Sequence, residues 1–170
     1  MRKFCAFLAV LALSGCVSTY KQDALTTPVS KLLSGKSVVI ATPENGSYSD
    51  KVYSTSGKTT ATAVQSAFAH HANNVVVSAE CRDLDCLKNA YPSGYDYFVV
   101  PQILHWEDRA TEWSGIRDKL EIKLTVYDAV DWRVLASNVI TGKSKWATFG
   151  GDHPQDLLPH PLAEYVSTLY

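Results

Sequence analysis

Cysteine and methionine are scarce in this chain: 170 residues contain four Cys and one Met. Four cysteines cannot build the dense disulfide framework of a small secreted scaffold. The sequence contains no Gly-x-Ser-x-Gly, no Cys-x-x-Cys and no His-x-x-x-His. It therefore lacks the usual signs of an activated serine, a redox-active cysteine pair and a helical metal motif. Gly57-Lys58-Thr59 looks like the end of a phosphate-binding loop, but Val52 stands where that motif needs its first glycine. Charge of either sign is also in short supply, with 16 basic and 17 acidic residues. That balance gives no electrostatic reason to bind nucleic acid.

What is present begins at the N-terminus. Met1-Arg2-Lys3 is a short basic start, residues 4–13 are almost wholly apolar, and Leu13-Ser14-Gly15-Cys16 follows. This is the layout of a secretory signal, ending in Cys instead of the small-x-small pattern. The apolar run is too short to span ~30 Å of hydrocarbon as a helix. Leu-Ser-Gly-Cys resembles the bacterial lipobox, which implies cleavage after residue 15 and acylation, including palmitate, of Cys16. Val17, in place of Asp, implies sorting to the outer membrane. The alternative is an ordinary secreted protein with a Cys at its cleavage site.

On this reading residues 1–15 are a cleaved signal peptide, 16–35 a lipidated N-terminus and tether, and 36–170 one periplasmic domain. Losing Arg2 and Lys3 from the 16 basic residues sets 14 against 17 acidic ones, a net charge of about −3. Cys81 and Cys86 then remain. In an oxidising compartment they are expected to form a structural disulfide, with Asp83 capping a following helix so that the two sulfurs can meet. A redox-active pair and a zinc site with two further ligands are the alternatives.

Hydrophobic periodicity predicts strands over 37–41, 75–77, 97–106, 120–127 and 132–145, with a turn at 128–131 between the last two. Helices are expected over 58–71, 83–90 and 152–170, the last opened by Asp152 and Gln155 spaced like a capping box. Pro159 and Pro161 are read as interrupting it. Pro101 suggests an edge or a bulge. The fold class is α+β: a single mixed sheet of about five strands with helices packed on one face, in the order βαβαβββα. That order resembles small envelope domains such as the TolB N-terminal domain, lipoprotein activators of peptidoglycan synthases and the curli secretion lipoprotein.

Two polar clusters carry the remaining chemistry. The first contains His105, Trp106, Glu107, Asp108, Arg109, Glu112 and Trp113; the second contains Trp146, Phe149, Asp152 and His153. If the hairpin strands run as expected, both clusters lie at the same end of the sheet. Exposed Trp with Arg and acidic rims suits a protein interface. Paired carboxylates flanked by Trp also suit a glycan-cleaving cleft, but neighbours on one strand point to opposite faces. The sequence around these clusters, from Leu104 to Gly115 and from Lys143 to Asp156, is similar to a family of uncharacterised proteobacterial lipoproteins containing a domain of unknown function. The resemblance covers most of the mature chain and implies an address without an activity. The expectation is a non-enzymatic accessory or protein-binding module of an envelope complex, without catalytic residues, metal, cofactor or nucleic acid. Peptidoglycan or glycan binding is the first alternative, and glycan hydrolysis the second.

Overall fold

The computed structural model describes residues 18–109, 116–145 and 153–170. Its main sheet has six strands: β1 (Thr19–Thr26), β2 (Ser37–Ala41), β5 (Asn74–Ser78), β6 (Tyr97–Glu107), β7 (Lys119–Asp128) and β8 (Val134–Lys143). They lie in the order β1-β8-β7-β6-β2-β5, and β3 (Ser47–Tyr48) and β4 (Lys51–Val52) make a separate ribbon. Among the described residues three α-helices complete the α+β domain: α1 (Ser56–Ala69), α2 (Leu84–Ala90) and α3 (Pro159–Leu169).

β2 pairs in parallel with both β5 and β6. The chain therefore crosses from β2 to β5 in one direction and from β5 to β6 in the other. Right-handed crossovers then require α1 and α2 to lie on opposite faces. Residues alternate accordingly. Val38, Ile40 and Val99 join Val64 and Phe68 of α1 and Leu162 and Val166 of α3 in the larger core. Val39, Ala41, Phe98 and Val100 join Leu87 of α2 in a smaller core on the other side. The one-face arrangement thus holds for α1 and α3, and the short α2 covers the second face. Leu120, Ile122, Leu124 and Val126 all point into the larger core, as their alternation predicts.

Several boundaries differ from the sequence expectation for identifiable reasons. Thr19–Thr26 falls in the stretch read as tether, yet it pairs antiparallel with β8. The segment is polar because it is an edge strand; its Tyr20 packs on the core and stacks on His160 at 5.4 Å. Helix α1 starts at Ser56, two residues early. Asn45 Oδ1 accepts from the Gly57 amide at 3.0 Å, and a Cβ at Gly57 would lie 2.3 Å from the Pro43 carbonyl oxygen. The glycine is needed for this close approach. The last helix begins at Pro159, since proline is favoured where a helix starts. Before it, Pro154–Leu157 forms a 3₁₀ turn boxed by His153 and Asp156, one residue later than the expected capping pair; Asp152 lies outside the described residues.

Cys81 and Cys86 are bonded, with Cα atoms 5.3 Å apart. Asp83 Oδ1 accepts from the Cys86 amide at 2.8 Å, the cap that brings the pair together. Cys81 is buried in the smaller core, so the bond fastens α2 to the second face. Cys86→Ser should lower unfolding stability by about 2 kcal/mol, the entropy of so short a loop, in urea titrations without reductant.

Candidate functional site

The register places four residues in one row across the sheet: Glu107 opposes Lys119, Lys119 opposes Lys143, and Lys143 opposes Thr19. The described parts of both polar clusters lie at this end. The bulge between Ile103 and His105 sets what each side chain does. Up to Ile103, odd-numbered residues of β6 face the larger core. The bulge exchanges the faces, so Trp106 turns inward and is 2 % exposed. Trp106 is therefore core and not a partner surface or a stacking platform, a correction to the sequence reading. Gly46 rests directly on it: a Cβ there would stand 2.5 Å from the Trp106 Cβ.

The same exchange sends His105 and Glu107 together to the other face. The Glu107 side chain is 1 % exposed, yet it meets two cations, Arg109 and Lys119, and the His105 ring. His105 Nε2 lies 3.0 Å from Oε2, Lys119 Nζ lies 3.4 Å from it, and Arg109 Nε donates to Oε1. Burial pushes the Glu107 carboxyl up, but hydrogen bonds from His105, Arg109 and Lys119 outweigh it and hold the group below the usual range. A carboxylate held ionised in this way is a poor general acid. Arg109 also donates to the Tyr48 hydroxyl at 2.7 Å and lies over the Tyr48 ring, which ties the β3–β4 ribbon to the cluster.

A second group adjoins it. The Arg109 amide donates to Asp118 Oδ1 at 2.6 Å, and the Asp118 amide donates to Ser144 Oγ at 2.9 Å. His153 Nδ1 lies 3.3 Å from Asp108 Oδ1. The Tyr53 hydroxyl donates to the Asp108 carbonyl at 3.1 Å. Burial, with Asp108 and Glu107 nearby, raises the Asp118 carboxyl above its ordinary value. One ligand atom each from Asp108, Asp118 and His153 lies within 4.8 Å of the others, the set that could hold a cation. Asp118 already accepts a backbone amide there, and Asp108 already meets His153.

Of the sequence candidates, His105, Glu107, Asp108, Arg109 and His153 come together here. Cys16, Glu112, Trp113, Trp146, Phe149 and Asp152 lie outside the described residues. Sequence reasoning missed Tyr48, Tyr53, Asp118 and Lys119, while Ser144 falls within the second cluster. Lys119 lies one residue before the strand expected from Leu120, and it meets Glu107 through the β6–β7 register, which the sequence reading did not set. The tyrosines come from a loop whose path nothing in the sequence specifies.

Fold and site define a class: a small α+β domain whose mixed sheet ends in a buried, ion-paired carboxylate. The chain belongs to the family described as a domain of unknown function, DUF4823, whose model matches residues 30–169. No curated protein sequence matches it. Among solved structures it is similar to the PelC dodecamer from Paraburkholderia phytofirmans, with TM-score 0.66 and 14 % identity, covering 89 % of this chain and 96 % of that one. It is also similar to protein XCC0632 from Xanthomonas campestris, with TM-score 0.55 and 16 % identity, over 88 % and 93 % of the two chains. These identities establish a shared fold alone. A lipoprotein, GNA1162 from Neisseria meningitidis, aligns at TM-score 0.43 and 13 % identity over 78 % of this chain and 96 % of that one. Among the described residues no helix is long and apolar enough to cross a membrane.

Glu107→Gln should cost about 2–3 kcal/mol at pH 7, less than for a fully enclosed pair because Arg109 and Lys119 reach solvent. Because the folded pKa of Glu107 is lowered, its contribution is present above the unfolded value of about 4.3 and is lost as pH falls through the folded one. Denaturation at pH 7 and at decreasing pH should therefore show the native–variant gap closing in acid. Asp118, with its pKa raised, shifts both proteins in the opposite sense and does not produce that gap.

Proposed function

We propose that this is an outer-membrane lipoprotein, anchored through Cys16 on the periplasmic side, acting as a non-enzymatic accessory module that binds an envelope protein. The observation that carries the proposal is the position of Thr19. It is the first residue of β1 and lies in the row that contains Glu107, Lys119 and Lys143. Cys16 precedes it by three residues, a reach of about 10 Å. A lipid there holds the ion-paired end beside the bilayer, where a membrane-embedded or membrane-proximal partner meets it. Lipobox, Val17 and family membership support the address.

The holding of Glu107 by Arg109, Lys119 and His105 supports a structural role over acid catalysis. The burial of Trp106 removes one platform from the glycan reading. PelC is described as a dodecamer, so a second copy of this chain is included among the partners to be tested.

A photoreactive residue at Leu104, half exposed beside the cluster, tests the reading in intact cells; Val130, exposed on the β7–β8 turn at the far end, is the control. The expected result is one discrete adduct from position 104, with an envelope protein or another copy, and none from 130. Recovery of muropeptides instead would favour glycan binding. No adduct from position 104, or equal labelling at both positions, would contradict this surface.

A further inference from the structure

Two large apolar side chains stand out at the end of the sheet that holds the Glu107 cluster. Val52 on β4 is 64 % exposed, and Ile116, just ahead of β7, is 50 % exposed. Both belong to segments fixed there by hydrogen bonds. Tyr48, the strand partner of Lys51, receives Arg109, and the Tyr53 hydroxyl donates to the Asp108 carbonyl. Ile116 lies two residues before Asp118, whose carboxyl accepts from the Arg109 amide.

Charges at this end are sorted by depth. Glu107 and Asp118 are buried, and the Asp108 side chain is mostly covered. Lys51 and Lys143 are exposed and Arg117 partly so. Among the described residues none of these three cations pairs with a carboxylate; Lys51 lies over the Tyr53 ring at 4.5 Å. Asp50 is an exposed carboxylate beside them. At the opposite end the cations are matched, Lys36 with Asp96 at 3.0 Å and Arg133 with Asp131 at 3.4 Å. Outward cations around exposed apolar side chains complement an anionic lipid surface, where each Lys or Arg favours binding about fivefold.

The occupant follows from where the chain enters the sheet. Thr19 opposes Lys143, and only Val17 and Ser18 separate it from Cys16. That reach of about 10 Å is close to the screening length of about 8 Å at physiological salt, so a bilayer holding Cys16 is felt by these cations. We propose that this end rests directly on the bilayer, with Lys51, Arg117 and Lys143 against anionic phospholipid headgroups and Val52 and Ile116 in the boundary between headgroups and acyl chains. The proposal rests on the Cys16 anchor argued above and adds the bilayer surface as a contact of the folded domain. Leu104, three residues back along β6 from Glu107, is left to the protein partner.

The experiment places a photoreactive diazirine residue at Val52, Ile116 or Val130 and reconstitutes the chain purified from cells, without other proteins, into vesicles of phosphatidylethanolamine and phosphatidylglycerol. Val130 is the control, exposed between Asp128 and Asp131 in the turn at the far end. The expected result is phospholipid adducts from positions 52 and 116 and none from 130. Their yield should fall about fivefold or more when phosphatidylcholine replaces phosphatidylglycerol, and likewise when Lys51→Glu and Lys143→Glu are combined. The lipid exchange leaves both lysines in place, so it decides the matter if the charge-reversed chain fails to fold. Absence of lipid adducts at 52 and 116, equal adducts at all three positions, or an unchanged yield on phosphatidylcholine overturns the proposal. Adducts with a second copy of the chain in place of lipid overturn it too, in favour of self-association. Mass spectrometry of the same samples reports the acyl groups on Cys16 separately. An acylated chain without lipid adducts overturns this contact and leaves the anchor standing, whereas an unacylated chain overturns both.

Discussion

A carboxylate removed from water must be matched by charge or it will take up a proton, and the end of this sheet is arranged around that requirement. The bulge in β6 turns Trp106 into the core and thereby turns His105 and Glu107 the other way. Lys119 arrives from the next strand by register, and Arg109 from the turn that follows β6. Arg109 then draws in Tyr48, while its own amide holds Asp118. Such a network costs desolvation and contributes little net stability. What it supplies is geometry: the ribbon, β6, β7 and the segment after β8 are held in one arrangement at one end.

The rest of the fold follows from a second constraint, the reversal of direction at β2. With β5 on one side and β6 on the other, both parallel to it, the two crossovers must occupy opposite faces. The larger face has α1 and α3. The smaller has seven-residue α2, too short to be stable without tertiary support. The Cys81–Cys86 bond and the Asp83 cap supply part of that support. Trp132, at positive φ in the β7–β8 turn, packs edge-on against Phe98 and supplies more.

Most of the architecture was legible because burial is written in alternation. Leu120 to Val126 and Val38 to Ile40 could be assigned to strands from residue type alone, and the Asp83 cap could be reasoned from the spacing of two cysteines. Strand β1 could not. An edge strand is held by backbone hydrogen bonds, and Thr-Tyr-Lys-Gln-Asp-Ala-Leu-Thr carries no buried face to announce it. The inward turn of Trp106 was hidden for a different reason. A bulge inverts alternation, and nothing in Ile103-Leu104-His105 marks one. Pro101 hinted at irregularity. There β6 has already outrun its pairing with β2, which ends opposite Val99, so no neighbour on that side requires the missing amide.

Docking of β1 changes the meaning of the N-terminus. A long polar tether would let the domain range freely; a strand seated in the sheet leaves two residues, Val17 and Ser18, between Cys16 and the folded body. Address and orientation then become one question, decided at Cys16. Palmitate labelling of the native chain and of Cys16→Ser in growing cells, followed by membrane fractionation, asks it directly. The account predicts label on the native chain in the outer-membrane fraction, and neither label nor outer-membrane recovery for the variant. An unlabelled native chain recovered in the soluble periplasmic fraction would contradict it.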